Sequence, residues 1–137
     1  MEGHASSSRV FVSHGKQDSW LAGQIARRIR DTGASAFLDE TDIQAGDQFE
    51  NIIQDEISGC SELIVLLTPW SQSRRWVWVE VGAAWSQGKR VVALLYGLSR
   101  SDLEKKGGLA VLAKSDIREL NEIETYLAEL QQRVRGG

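Results

Sequence analysis

In the first part of the chain, the pattern of hydrophobic and polar residues changes from one typical of a strand to one typical of a helix. The segment RVFVS, residues 9–13, is β-branched and aromatic and stops at the polar stretch HGKQD, which predicts a strand followed by a turn. Apolar side chains then recur at every fourth position: Leu21, Ile25 and Ile29. This spacing predicts an amphipathic helix that is capped by Asp18 or Ser19 and ends near Gly33.

The same order of strand and helix continues toward the middle of the chain. Residues 34–39, ASAFLD, form a second predicted strand, and a polar, glycine-containing loop follows it. A second amphipathic helix, which ends at Gly59, is predicted from its apolar positions: Phe49, Ile52, Ile53 and Ile57. The continuous apolar runs at residues 62–68 and 91–97 are typical of strands that are covered on both faces.

Two further helices are predicted in the second half of the chain. In the segment RRWVWVEVGAAWSQGK, residues 74–89, one helical stripe is apolar: Val77, Val81, Ala84 and Trp85. After a short edge strand in DIREL, Asn121 and Glu124 resemble a capping box that begins the last helix. Its predicted inward positions are also apolar: Ile123, Tyr126, Leu127, Leu130 and Val134.

Strands that alternate with helices across short loops indicate right-handed βαβ units. The predicted fold is therefore α/β, with a doubly wound sheet of four to five parallel strands and helices on both faces. In such sheets, ligands bind at the carboxyl ends of the strands, beside the point where the strand order reverses. A site is thus expected in the loops that follow Ser13, Asp39, Thr68 and Gly97.

Composition narrows the class of protein and its partners. At 137 residues, 42% of them hydrophobic, the chain has the size of one domain, predicted at residues 9–135 after a disordered leader or cloning remnant at residues 1–8. The net charge of −3 disfavours nucleic acid and anionic membranes as partners. The single cysteine, Cys60, excludes an internal disulfide and predicts a cytoplasmic location. No apolar run reaches the roughly 20 residues of a membrane helix.

Several common kinds of site are excluded by the residues present. The sequence has neither the glycine pattern of a dinucleotide cradle nor that of a P-loop. His4 and His14 are the only histidines, so no metal site is predicted. Ser13 and His14 do not form a nucleophilic pair, because adjacent residues of a strand point to opposite sides. A receiver-like phosphoacceptor domain is also excluded, because it needs an acidic pair at the positions that Val12 and Ser13 occupy.

One carboxylate, that of Glu80, lies among apolar neighbours in the helix predicted for residues 74–89. Helical geometry places it beside the apolar stripe, at the rim of the core, with Trp76 one turn earlier on the same side. One interpretation is a boundary glutamate that pairs with Arg74, Arg75 or an arginine of the first helix. The other is a half-buried carboxylate that faces a cleft, where its charge acts more strongly than in water.

Four stretches, in this order and spacing, resemble the Toll/interleukin-1 receptor (TIR) domain family, and its bacterial members in particular: RVFVSHGKQD, LDETDIQAGDQF, LIVLLT and SQSRRWVWVE. In that family the first strand ends in Ser followed by Tyr or His, a mobile loop carries an Asp and an Ile-x-x-Gly core, and a later helix carries Ser, Trp and then Glu four residues on. The resemblance is close over residues 9–98 and loose beyond them. Two departures are that His14 replaces the more usual Tyr and that two residues, rather than one, separate Ser73 from Trp76.

The resemblance implies a flavodoxin-like sheet and, as in many members, cleavage of NAD at the nicotinamide–ribose bond. Glu80 matches the catalytic glutamate of those members, NAD is the substrate, and neither a cofactor nor a metal is implied. Substrate-binding positions are implied at the first strand end, in the next loop and near the later helix: Ser13, His14, Gly15, Asp39, Ile43, Gly46, Ser73 and Trp76. The implied products are nicotinamide with ADP-ribose or a cyclic ADP-ribose isomer, formed in immune defence or virulence signalling.

A second function is also compatible with the resemblance. Other members are non-enzymatic interaction modules, or signalling adaptors, that act by TIR–TIR assembly. Glu80 separates the two functions only in part, because the same glutamate can persist in members that act mainly as scaffolds. Both functions imply homotypic assembly and a sensor domain or sensor protein outside this chain. The polar loop at residues 39–48 is expected to gate access to the pocket.

Overall fold

The computed structural model of the protein describes residues 8–38, 55–71, 74–105, 112 and 115–136. The strands in these ranges are β1 (Arg9–Ser13), β2 (Ser35–Leu38), β3 (Glu62–Leu67), β4 (Arg90–Leu95) and β5 (Asp116–Glu119). The helices are α1 (Ser19–Asp31), α2 (Arg75–Ser86), α3 (Arg100–Lys105) and α4 (Ile123–Gly136). Short 3₁₀ turns at Lys16–Asp18 and Leu120–Glu122 lead into α1 and α4.

The strands form one parallel sheet in the order β2-β1-β3-β4-β5. The chain moves from β1 outward to β2, returns to β3 on the other side of β1, and continues through β4 to β5. The strand order therefore reverses between β1 and β3, where Ser13 pairs with Val65. This is the predicted doubly wound, flavodoxin-like arrangement, and Ser13 lies at the reversal of strand order, beside which such sheets generally bind their ligands.

Helices cover both faces of the sheet. On one face, Ile64 of β3 belongs to a core cluster with Ile29 of α1 and Leu130 of α4. On the other face, Val65 of β3 belongs to a cluster with Val77 of α2. Every residue of β3 is buried, which explains why residues 63–67 are continuously apolar rather than alternating.

Two details of the helices differ from the predictions. Trp85, expected on the inward stripe of α2, is 54% exposed. The capping box before α4 is formed by Glu119 and Glu122 instead of Asn121 and Glu124. It caps the 3₁₀ turn that leads into α4, and that extra turn moves the start of the helical segment toward the amino terminus.

Part of the second predicted helix lies outside the described residues. Residues 55–58 are helical and Ile57 is buried in the core, whereas Phe49, Ile52 and Ile53 lie outside the described ranges. Among the helices that the structure describes, none is long and apolar enough to cross a membrane.

A buried ion pair at the amino end of β3 anchors α4 to the sheet. Glu62 is 4% exposed, accepts a hydrogen bond of 2.5 Å from the Tyr126 hydroxyl, and pairs with the Arg133 guanidinium at 3.0 Å. The Arg133 guanidinium carbon also lies 5.9 Å from the centre of the Tyr126 ring, which is a cation–π distance. Burial, followed by the neighbouring Glu62 carboxylate, raises the pKa of the Tyr126 phenol well above its usual value.

Arg133→Met is expected to destabilise the fold by about 2 kcal/mol, because it removes the cation from a buried carboxylate. The Arg133 side chain is 29% exposed, which keeps the cost below that of a fully buried pair. Arg135→Met, at an exposed position of the same helix, is the matched control and should change stability by less than about 0.5 kcal/mol. Urea unfolding measures both effects, and equal stabilities of the two variants would contradict this role of the ion pair.

The raised pKa of Tyr126 also predicts how stability depends on pH. Its neutral phenol stabilises the fold below about pH 10, the usual phenol pKa, and this contribution is lost above that value at up to about 1.4 kcal/mol per pH unit. Tyr126→Phe lacks the hydrogen bond to Glu62, but it also has no phenol, so it does not lose this contribution to stability at high pH. The stability gap between the two proteins should therefore narrow between about pH 9 and about pH 11 in urea unfolding. A difference in unfolding free energy between the two proteins that stays constant over this pH range would contradict the raised pKa of Tyr126.

Candidate active site

Ser13 and Glu80, far apart in sequence, meet at the carboxyl end of β1. The Ser13 hydroxyl donates a hydrogen bond of 2.6 Å to Oε1 of Glu80 across 67 positions of sequence. Ser13 is 0% exposed and Glu80 is 2% exposed. The short distance is typical of a hydroxyl that donates to a charged carboxylate. The glutamate singled out in the sequence is therefore in direct contact with one of the predicted substrate-binding residues.

The rotation of α2 about its axis explains how this carboxylate comes to be buried. The buried positions of α2 follow helical spacing: Val77, Glu80, Val81 and Ala84. Glu80 belongs to this stripe and Trp85 does not, so the helix is turned away from the orientation that its apolar residues predict. The prediction of a half-buried Glu80 at the core rim was wrong, because the side chain lies inside the core.

A buried carboxylate at this position is costly for the fold. Removing a charge from water is unfavourable unless hydrogen bonds or opposite charges compensate for it. A leucine at the same helical position would add apolar contact to the core without that cost. Packing alone therefore gives no reason for a carboxylate at this position of α2.

His14 and Gly15 continue the chain from Ser13 toward α1. His14 is half-buried, and its Nδ1 lies 3.2 Å from the Val12 carbonyl oxygen. Because a carbonyl only accepts, Nδ1 carries the proton in this contact. Gly15 has an ordinary extended backbone with φ −84°, but a Cβ there would lie 3.2 Å from Cβ of Ser71. The close approach of two loops, rather than backbone conformation, therefore requires glycine at this position.

A second polar cluster joins the same two loops. The Thr68 hydroxyl donates a 2.7 Å hydrogen bond to the Asp18 carboxylate, and the Thr68 N–H donates one of 2.8 Å to the Ser71 hydroxyl. All three residues are buried, and Asp18 is 7% exposed. Asp18 occupies the predicted cap position of α1, yet its side chain makes no capping hydrogen bond. This cluster was not predicted from the sequence, although the place of Thr68 directly after a buried strand was a signal for it.

The other predicted substrate-binding residues are described only in part. Trp76 lies in the first turn of α2, where it is partly buried and packs against the core. Asp39, Ile43, Gly46 and Ser73 lie outside the described residues. The described part of the site is therefore formed by β1, the turn that follows it, and α2.

A separate cavity of about 400 Å³ lies at the carboxyl ends of β4 and β5. Arg118, which lines it, pairs with Asp116 and Glu129 at 2.7 Å each, and these carboxylates raise its pKa. None of the predicted site residues lines this cavity. The part of the chain that the structure describes contains no group of three or more His, Cys, Asp or Glu residues that would hold a metal ion.

The sheet order and the Ser13–Glu80 pair define a class of protein, namely a doubly wound α/β domain with a buried carboxylate at its switch point. A family model described as TIR domain matches residues 10–131, and the chain belongs to the TIR domain family. This match confirms the family that the four sequence stretches indicated. A search of the curated proteins finds no relative that matches this chain.

Solved structures share the fold at low sequence identity. The TIR domain of the Toll-related receptor TRR-2 from Hydra magnipapillata is 15% identical with a TM-score of 0.63, and the match covers 92% of this chain and 97% of that one. A metazoan TIR-STING receptor from C. gigas is 18% identical with a TM-score of 0.64, covering 98% of this chain and 42% of the receptor. The CMP N-glycosidase BcmB from Clostridium botulinum is 18% identical with a TM-score of 0.59, covering 91% of this chain and 99% of the enzyme.

The close approach of the two loops predicts opposite effects for two glycine substitutions. Gly15→Ala is expected to destabilise the fold by about 1–2 kcal/mol, because the hydrogen bond from the Ser71 hydroxyl to the Leu66 carbonyl keeps Ser71 from moving aside. Gly23 in α1 has no neighbour within 4 Å of a Cβ position, so Gly23→Ala should stabilise the fold by about 0.5–1 kcal/mol. Thermal unfolding gives both signs, and stabilisation by both substitutions would disprove the close approach.

Proposed function

We propose that this TIR domain cleaves the N-glycosidic bond between nicotinamide and ribose in NAD, with Glu80 as its catalytic carboxylate. The observation that supports this function is the buried hydrogen bond from Ser13 to Glu80 beside the reversal of strand order. Ligands of doubly wound sheets bind at this edge. A carboxylate held there is suited to face the sugar of a bound nucleotide.

One carboxylate is sufficient for this reaction because nicotinamide leaves from a cationic ring. When the glycosidic bond breaks, its electron pair neutralises the ring nitrogen, so the leaving group needs no proton. The ribose is left with oxocarbenium charge, which Glu80 stabilises in surroundings of low dielectric. Water then adds to the anomeric carbon and loses a proton to give ADP-ribose. Capture by the adenine or a ribose hydroxyl of the same molecule gives a cyclic isomer instead.

The hydroxyl of Ser13 contributes by fixing the catalytic carboxylate before the substrate arrives. A hydrogen bond of 2.6 Å to Oε1 restricts the orientation of Glu80. Electrostatic stabilisation of a transition state is most effective when the charged group does not have to reorient during the reaction. Ser13 is thus a positioning residue for Glu80 in this proposal.

Substrate access requires a change at the carboxyl edge of the sheet, because Glu80 is 2% exposed. The loop at residues 39–48, which the resemblance to other TIR domains implies as the gate, lies outside the described residues. If contact between copies of the chain favours the open state, activity per molecule rises with protein concentration. Homotypic assembly therefore belongs to this proposal as the condition for full activity.

The structural likeness to a CMP N-glycosidase supports the class of reaction, since that enzyme acts on an N-glycosidic bond of a nucleotide. The two substrates differ in their leaving groups. Cytosine in CMP is neutral and leaves easily only when a proton is supplied, whereas the nicotinamide ring of NAD is already cationic. Because the proposed catalytic group is a single carboxylate, the cleavage of NAD, which needs no proton donor, is the reaction that we propose.

Nicotinamide release from NAD, measured by chromatography over a series of protein concentrations, tests the proposal. Glu80→Gln keeps the shape of the side chain without its charge and should lower the rate at least about 100-fold. Glu104→Gln, at an exposed glutamate of α3, is the matched control and should keep the wild-type rate. Thermal unfolding of both variants separates a loss of rate from a loss of fold. CMP replaces NAD in a parallel assay to identify the substrate.

Each outcome of this assay has a distinct meaning. Equal release by the wild type and Glu80→Gln would overturn the role of Glu80. Cytosine release from CMP without nicotinamide release from NAD would change the substrate while retaining the reaction class. No release from either substrate at any protein concentration would favour the alternative function, a non-enzymatic module that assembles with other TIR domains.

A further inference from the structure

Two sets of hydrogen bonds connect the first strand and the turn that follows it with the third-strand exit and α2. The first is the 2.6 Å hydrogen bond from Ser13 to Glu80. The second runs from Asp18 through Thr68 to Ser71, with hydrogen bonds of 2.7 Å and 2.8 Å. We call this second set of three residues the Asp18 clamp. Ser13 and Asp18 are five positions apart, and Ser71 and Glu80 are nine positions apart, so we expect the geometry of one set to constrain the other.

The side chain of Asp18 does not cap α1, the helix that it precedes. It stands at the cap position of α1, where an aspartate commonly accepts a hydrogen bond from the first turn, but it makes no such bond. Its carboxylate reaches Thr68, 50 positions further along the chain. The partial positive charge at the start of α1 helps to offset the cost of burying this carboxylate. The interaction that Asp18 makes is therefore one between loops.

Hydrogen bonds and close packing at Ser71 restrict the connection between the Asp18 clamp and α2. The Ser71 hydroxyl donates to the Leu66 carbonyl at 2.9 Å, and the Ser71 carbonyl accepts from the Arg74 N–H at 3.0 Å immediately before α2 begins. Gly15 is packed against Ser71 so closely that an added Cβ would lie 3.2 Å from the Ser71 Cβ. We therefore expect a change at Asp18 to move the start of α2, and Glu80 with it, relative to Ser13.

We propose that Asp18 is a positioning residue of the site, which acts through Thr68 and Ser71 to set the distance between the Ser13 hydroxyl and the Glu80 carboxylate. The kinetic consequence rests on the proposed function, whereas the geometric consequence can be measured without substrate. Misplacing a catalytic carboxylate weakens the transition state more than substrate binding. Loss of the clamp should therefore lower kcat and leave KM nearly unchanged.

The carboxyl carbon resonance of Glu80 in carbon-13-labelled protein tests the geometry directly. Its assignment comes from its loss in Glu80→Gln, and Ser13→Ala gives its position when the hydrogen bond is absent. Asp18→Ala and Thr68→Val should each move the resonance toward the Ser13→Ala position, and Thr68→Ser, which keeps the hydroxyl, should not. Thr68→Val tests the same link if Asp18→Ala does not fold. A folded clamp variant with the wild-type resonance would overturn the proposal.

Steady-state kinetics with NAD provide the second readout. Asp18→Ala and Thr68→Val should each lower kcat by about 10-fold to 100-fold, with KM within about 3-fold of the wild type. Thr68→Ser should retain most of the activity. The double variant should be no slower than the slower single variant, because both substitutions break the same link. Multiplying losses, or a change in KM alone, would contradict a positioning role.

The failure of this proposal can be distinguished from failure of the proposed function. If the wild type releases no nicotinamide but the Glu80 resonance moves in Asp18→Ala, the NAD activity is wrong and the positioning role stands. If Glu80→Gln abolishes release but Asp18→Ala changes neither the resonance nor kcat, the enzyme stands and the positioning role is overturned.

Discussion

The hydrogen bond from Ser13 to Glu80 is the contact on which the organisation of this domain's site depends. It joins the end of the first strand to the helix that follows the third strand, at the place where the strand order reverses. The sheet and the helix would pack at least as well with an apolar side chain in place of the carboxylate. A group that is unnecessary for packing, yet held by a short hydrogen bond at the ligand edge, fits a chemical role.

The two edges of the sheet hold buried carboxylates in different ways. At the amino edge, Glu62 pairs with the Arg133 cation and accepts from Tyr126, which ties the last helix to the core. At the carboxyl edge, Glu80 accepts from the neutral hydroxyl of Ser13. Both contacts link a helix to the sheet, and both offset part of the cost of removing a carboxylate from water. Of the two edges, the carboxyl edge is the one at which ligands of doubly wound sheets bind.

Apolar patterning predicted the fold because burial leaves a direct mark on sequence, as in the continuous run of β3. The contact between Ser13 and Glu80 could not be predicted from the pattern of apolar residues. Because Trp85 was counted as a buried apolar residue, the predicted buried stripe of α2 was centred away from Glu80. In the structure the Trp85 side chain is largely exposed and Glu80 is buried. Asp18 was interpreted as a helix cap because its partner, Thr68, is 50 positions away. Local patterns identified these residues, but only tertiary structure shows which side chains they meet.

Nicotinamide release by Glu80→Ala, with and without added formate, tests most directly whether a carboxylate at this position carries out the reaction. The substitution removes the carboxylate and leaves space beside Ser13 that a small carboxylate from solution can occupy. We expect release from NAD to fall at least about 100-fold and to recover in a saturable manner with formate, but not with chloride at equal ionic strength. Release at the wild-type rate, or a loss that formate does not reverse in the folded variant, would contradict the role of Glu80.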